Sequence, residues 1–271
     1  MDIYEEITAF YESVPTEKTV IGKSWFHRDI YAVKKGSSRP VGIVQCAIHA
    51  REKSGAYLAI EQYLYGRITG SCWFIPLMNP DGALLTEQGV LSAAENKREF
   101  LTALQPNGDF SLWKANGRGV DLNVNFNAGF GKGRQNVFSP ASENYVGGYP
   151  CSEAETKALR DFTNKIRPDY TVSYHTKGEE IYFEYGQTGK RLERDLFLAN
   201  LIAETTGYRI KKTTDSHGGY KDWCILKHKI PSFTIEVGSD DLTHPISKDE
   251  IYPSLEKNRQ VIEILSKGLT I

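Results

Sequence analysis

The sequence predicts an α/β domain, a parallel or mixed β-sheet covered by helices. Three observations carry this prediction. Apolar, β-branched runs of strand length recur at residues 43–48, 71–77, 169–175 and 232–237. Stretches with apolar residues at helical spacing separate them. The strand, helix, strand order over residues 43–77 is the unit from which helix-covered parallel sheets are built. With 271 residues and 40% hydrophobic content the chain can bury one large core, so residues 1–271 are read as one domain.

Residues 3–12 suit a short helix, with Ile3, Ile7 and Phe10 on one side. Alternation across 18–34 (Val20, Ile21, Trp25, Ile30, Tyr31, Val33) predicts a hairpin, and Gly36 to Arg39 turns the chain into a strand that runs to His49. From Lys53 the spacing becomes helical through Ala56, Ala59, Ile60, Tyr63 and Leu64. Strand 71–77 ends in Asn79-Pro80-Asp81-Gly82, read as a turn. Between Ala83 and Gly148 periodicity weakens, and so long an irregular stretch in a compact domain is usually functional loop. Within it, Gly129 to Gly133 lacks the preceding strand and following helix of a phosphate loop and is set aside. Ser152 and Glu155 have capping-box spacing and open a helix to about Ile166, which Pro168 stops. Strand 169–175 follows, then extended spacing at 181–185 and a helix over 191–205. Gly218-Gly219 opens a helical stretch through Leu226, 232–237 is a strand, and one last helix spans 249–265.

Composition excludes several classes of function. A net charge of -1 and a pI near 6.6 provide no field that would draw in nucleic acid or an anionic membrane. Small molecules or peptides are the expected partners. Cys46, Cys72, Cys151 and Cys224 are widely separated, without C-x-x-C spacing, and are expected to be buried free thiols. The acidic, amphipathic N-terminus lacks the features of a secretory leader, and no run reaches membrane-spanning length. The expectation is a cytoplasmic protein.

The chemistry gathers at strand ends. His49 and Glu52 stand where a strand gives way to a helix, and a turn there points both side chains to one side. H-x-x-E also arises by chance, with the histidine buried in the core and the glutamate favoured by a helix dipole. His175 ends a second apolar strand. As third ligand it completes a two-histidine, one-glutamate set of the kind that holds catalytic zinc with one position open. Glu236, alone in an apolar strand, is costly to bury without a partner and is the candidate general base. One zinc ion is the expected cofactor.

These residues resemble the zinc metallocarboxypeptidase family. The likeness rests on five motifs in the family's order: His49-Ala50-Arg51-Glu52, Asn79-Pro80-Asp81-Gly82, Gly119-Val120-Asp121-Leu122-Asn123, His175 after an apolar strand, and Phe233-Thr234-Ile235-Glu236. They span Val41 to Val237. The resemblance implies a mixed eight-stranded sheet between helices, zinc held by His49, Glu52 and His175, and Glu236 activating water for peptide hydrolysis. It further implies that Asn123 contacts a substrate carboxylate and that Arg51 lines the same groove.

The departures from the family pattern bear on the substrate. Where the family has an arginine that clamps a terminal carboxylate, this chain has Val124, which cannot make a bidentate contact. The family's carbonyl-polarising arginine falls on Lys114, which would act as a point charge on the oxyanion. No counterpart of the mobile tyrosine of the digestive members stands near Thr214 or Asp215. Lys221 places a positive charge at the base of the specificity pocket, unless it is a solvated helix lysine. Wording such as Val120-Asp121-Leu122-Asn123-Val124-Asn125-Phe126 and Gly219-Tyr220-Lys221-Asp222-Trp223 resembles a bacterial branch of γ-D-glutamyl-meso-diaminopimelate peptidases. The unusually placed carboxylates of such a substrate suit a shifted set of cations: Arg51, Lys114, Lys221 and Arg118. His217, beside the pocket glycines, is a further candidate substrate contact. The implied partner is a peptidoglycan stem peptide or muropeptide, met inside the cell. Alternatives are a zinc carboxypeptidase or N-acyl amino acid deacylase of other specificity, and a non-catalytic module that holds peptidoglycan fragments.

Overall fold

Eight strands form one mixed sheet in the computed structural model, which describes residues 1–212 and 215–270. They are β1 (Lys18–Lys23), β2 (Asp29–Gly36), β3 (Val41–Cys46), β4 (Ser71–Ile75), β5 (Tyr170–His175), β6 (Glu180–Tyr182), β7 (Arg209–Lys211) and β8 (Ser232–Glu236). Their order is β1-β2-β4-β3-β5-β8-β6-β7. The pairings β4–β3, β3–β5, β5–β8 and β6–β7 are parallel, and the other three are antiparallel.

Alternation along the central strands divides the core into two layers, because successive side chains of a strand point to opposite faces. Val44, Phe74, Val172 and Ile235 pack one face beneath α2 (Ala56–Tyr65), α6 (Lys190–Thr206), α8 (Lys248–Asn258) and α9 (Val261–Gly268). Ile43, Trp73 and Ile75 pack the other beneath α5 (Ala154–Ile166) and α7 (Tyr220–His228). The remaining helices, α1 (Ile3–Ser13), α3 (Pro80–Gln88) and α4 (Glu95–Leu104), surround the β1–β2 edge and the loops near it. All four cysteines are buried free thiols. Among the described residues no helix is long and apolar enough to cross a membrane.

Several boundaries differ from the sequence reading. Strand β3 stops at Cys46, and the chain reaches α2 through a 3-10 turn, Ala50–Gly55. Asn79-Pro80-Asp81-Gly82 begins a helix instead of forming a turn. Asn79 caps α3 by accepting from the Gly82 amide at 3.0 Å, and Pro80 has the fixed φ and missing N–H that suit a first helical position. Helix α4 lies in the stretch read as loop; Leu101 is its one buried residue, too little for a clear apolar period. Ser152 does not cap α5, because its hydroxyl donates to Glu153 and Glu153 itself is the N-cap. The last helix is two, α8 and α9, broken at Arg259 and Gln260. Strand β7, three edge residues with exposed ends, has no sequence signal. Thr214, where the missing tyrosine was weighed, lies outside the described residues.

Candidate active site

Parallel pairing brings the carboxyl ends of β3, β5 and β8 to one edge of the sheet, where ligands of α/β folds bind. In that register His175 lies directly beside Glu236. Beyond β3, the 3-10 turn after His49 brings Glu52 back over the same edge. His49 Nδ1 lies 2.9 Å from Glu52 Oε1. His175 Nδ1 is 3.0 Å from His49 Nδ1 and 3.1 Å from Glu52 Oε2. All three residues are buried, with ligand atoms mutually within 4.8 Å. Each imidazole nitrogen thus faces its own Glu52 oxygen, and three potential ligand atoms converge in a buried site. Two imidazoles with one carboxylate are the donor set of catalytic zinc.

Asp121, which the sequence reading quoted but gave no task, organises the surroundings. It is fully buried and lies 3.4 Å from His49 Nε2. Its other oxygen lies 3.2 Å from Lys114 Nζ. It also accepts from the amides of Asn123 (3.0 Å) and Asn144 (3.2 Å). A carboxylate on the far nitrogen of a ligating histidine fixes its tautomer and ring orientation. Burial works to raise the Asp121 carboxyl, but Lys114 and His49 outweigh it and hold the group ionised far below its usual range. Burial likewise opposes charge on Lys114, while Asp121 and Glu52 overcome it and raise the ammonium above its ordinary value.

The Asn79-Pro80-Asp81-Gly82 motif holds this arrangement from behind. Asn79 Nδ2 donates to the carbonyls of Ile48 (3.2 Å) and Ala115 (3.1 Å), flanking His49 and Lys114. A Cβ on Gly82 would stand 2.4 Å from the Ala115 oxygen and 2.7 Å from Ala50 Cβ, so only glycine permits the approach. Asp81 accepts from Ser24, Arg28 and the Phe26 amide, which ties the β1–β2 connection to α3.

A cavity of about 430 Å³ opens on the cluster, lined by His49, Lys114, Asn123, Arg134, His217 and Glu236 among others. A second, of about 280 Å³, adjoins it through Asn123, Ser216 and Glu236 and is lined by Lys221 and Asp222. Burial pushes the Glu236 carboxyl up to about 7, with the Glu52 charge adding to it and His175 opposing. Asn123 Oδ1 accepts from the Tyr220 amide at 3.3 Å. His217 Nδ1 is 2.8 Å from the Tyr185 hydroxyl. Lys221 is buried, not solvated, and donates to Asp222 Oδ1 (2.6 Å) and the Glu184 carbonyl (3.0 Å). Two of the expected contacts are not brought together with these. Arg51 turns toward Glu143 at 3.5 Å and is not among the lining residues of either cavity. Arg118 lies over the Trp25 ring at 4.5 Å and lines a separate cavity with Trp25, Phe100 and Tyr149. The cause is local: the amides of Arg118 and Val120 are both held by Asn116 Oδ1, which turns the Arg118 side chain toward Glu153.

The profile of the family described as zinc carboxypeptidase matches residues 3–261. Over 191 residues the chain is 32% identical to γ-D-glutamyl-L-diamino acid endopeptidase 1 of Lysinibacillus sphaericus, covering 70% of this chain and 47% of that protein. It is 31% identical to carboxypeptidase A1 of Sus scrofa, covering 86% of this chain and 61% of the relative. The chain thus spans less than two thirds of the length of either. Among solved structures, bovine thrombin-activatable fibrinolysis inhibitor superposes with a TM-score of 0.78 at 22% identity, covering 100% of this chain and 97% of the other. Murein-tripeptide amidase MpaA of Escherichia coli O157 superposes with a TM-score of 0.63 at 21% identity, covering 95% of each. These likenesses concern the fold, and the profile match over nearly the whole chain decides the rest: the protein belongs to the zinc carboxypeptidase family.

Proposed function

We propose that this chain is a zinc-dependent peptidase that hydrolyses the γ-D-glutamyl-meso-diaminopimelate bond of peptidoglycan stem peptides. The observation that carries the reading is the convergence of His49, Glu52 and His175 beside Glu236, with His49 and Glu236 lining a cavity that also holds Lys114. The choice of bond rests on the Lysinibacillus relative, whose name states a γ-D-glutamyl-L-diamino acid specificity. His49, Glu52 and His175 would hold one zinc ion, which when bound would supply Lewis acidity toward water and a carbonyl. Glu236 accepts the proton of the attacking water and delivers it to the leaving amine as the C–N bond breaks. Its environment suits that exchange, because burial brings its proton affinity close to neutral pH. Lys114, on the cavity wall, balances the negative charge that develops on the carbonyl oxygen. Asp121 keeps both His49 and Lys114 in place. Asn123 and Lys221 stand on the walls where the substrate's polar groups would lie.

The test is mass spectrometry of L-Ala-γ-D-Glu-meso-diaminopimelate after incubation with the protein, with a chelator-treated sample alongside. Release of free diaminopimelate that stops with chelator is the expected result. An intact tripeptide beside cleaved ordinary C-terminal peptides would remove the wall-fragment assignment and favour a general carboxypeptidase, which the 31% identity to carboxypeptidase A1 makes the second reading.

A further inference from the structure

The glycine-rich stretch set aside in the sequence has a place in the catalytic cavity. Residues 125–136 have no regular secondary structure, yet the segment is anchored at many points. The Phe126 amide donates to the Gly218 carbonyl (2.9 Å), and the Gly218 amide returns to the Ala128 carbonyl (2.7 Å). Tyr185 donates its hydroxyl to the same Ala128 oxygen at 2.8 Å. Gly129 follows with φ +67°, and a Cβ there would stand 2.6 Å from the Tyr185 hydroxyl and 2.9 Å from His217 Nδ1. Glycine therefore lets the loop lie against the Tyr185–His217 pair. Further along, the Arg134 amide donates to the Asp215 carbonyl at 3.0 Å, and Arg134 lines the cavity that His49, Lys114 and Glu236 share.

The other cations nominated for substrate binding all have carboxylate partners. Lys114 has Asp121 at 3.2 Å, Lys221 has Asp222 at 2.6 Å, Arg51 has Glu143 at 3.5 Å, and Arg118 has Glu153 at 3.7 Å. Arg134, an exposed residue, has no carboxylate within 4.0 Å among the described residues. Asp215 and Glu236 line the same cavity without pairing with Arg134, so its guanidinium fork remains available to a carboxylate supplied from outside. Val124 lines the same cavity and offers no charge.

We infer that Arg134 is the specificity residue that binds a substrate carboxylate in the catalytic cavity. The inference rests on the reading above, under which carboxylates flank the scissile bond on both sides. One belongs to the leaving diaminopimelate and the other to the D-glutamyl residue on the acyl side. Either presents the same chemistry to the guanidinium.

Steady-state hydrolysis by wild type, Arg134→Ala and Arg134→Lys decides it, using the tripeptide and two forms in which one or the other flanking carboxylate is a carboxamide. For wild type, one of the two amides should lose about ten- to a hundredfold in kcat/KM, the worth of a charge-assisted hydrogen bond. That amide identifies the carboxylate bound. Arg134→Ala should lose the same factor on the free acid, mainly through KM, and no longer discriminate against that amide. Arg134→Lys should fall between, keeping the charge without the fork. An Arg134→Ala enzyme with wild-type KM, or one that still rejects the amides as wild type does, would overturn the inference. If wild type cleaves none of the three, the proposed substrate is wrong. The same acid and amide comparison on an ordinary blocked dipeptide then decides the role of Arg134 separately.

Discussion

Replacing Asp121 by Asn removes one charge while preserving shape, at the point where the metal cluster and Lys114 meet. With the Lys114 ammonium 3.2 Å from Asp121 Oδ2, the Coulomb attraction at an effective dielectric of about 20 is roughly 5 kcal/mol. Desolvation of two buried ions offsets much of this. Breaking such a pair typically costs about 3 to 5 kcal/mol, because the surviving charge stays buried without a counter-ion. Lys114 has 18% of its side chain exposed and can reach water, so the lower end of the range, about 3 kcal/mol, applies. The second consequence is at the metal. The amide cannot match a carboxylate as acceptor for His49 Nε2, and losses of this kind cost about ten- to a hundredfold in metal affinity or activity. Thermal denaturation of the chelator-treated protein reads the first effect, and competition for zinc with a chromophoric chelator reads the second. A variant as stable as wild type that binds zinc equally well would refute the role given to Asp121.

Three further outcomes follow from the same geometry. Glu236→Gln should retain zinc and lose about a hundred- to ten-thousandfold in kcat, read by metal analysis beside steady-state rates; near wild-type turnover would remove Glu236 from the proton transfer. The carboxylate is the working form, so kcat/KM should fall as pH drops through the Glu236 pKa. Burial sets that value at about 7, against an ordinary 4.5, and the charge of a bound divalent cation draws it down. The acid limb of the pH profile should lie between those values; a limb that persists in the residual activity of Glu236→Gln would assign it to another group. Gly82→Ala would place its methyl 2.4 Å from the Ala115 oxygen, so α3 must shift from the irregular segments that carry His49 and Lys114. We expect at least about 1 to 3 kcal/mol of destabilisation with weakened zinc binding, and urea denaturation with zinc titration measures both.

What the sequence conveyed depended on regularity. Strand β5 is apolar enough to announce itself and ends on His175; β8 does the same and ends on Glu236. Register then places the two side by side, which two strand ends on a parallel sheet foreshadow. His49 and Glu52 were legible as a spacing, although the 3-10 turn that unites them was not. Irregular backbone conveyed far less. Asp121 lies in a stretch without period, and its task comes from contacts with His49, Lys114 and Asn144 that no local pattern encodes. Arg134 was hidden for the same reason, since tertiary hydrogen bonds place its loop. Asn79-Pro80-Asp81-Gly82 has residues favoured equally by turns and helix starts, and burial against Ala50 and Ala115 selects the helix. Lys221 was expected either in solvent or in a pocket, and Asp222 at the next position supplies the partner that makes its burial tolerable.

The most direct test of the account is the zinc content of the purified protein after dialysis, compared between wild type and His175→Ala. One zinc per chain is expected in wild type and loss of tight binding in the variant, with the far-ultraviolet dichroism of the two proteins alike. A wild-type protein that takes up no zinc, or a folded His175→Ala variant that holds it as tightly, would contradict the claim that His49, Glu52 and His175 form the metal site.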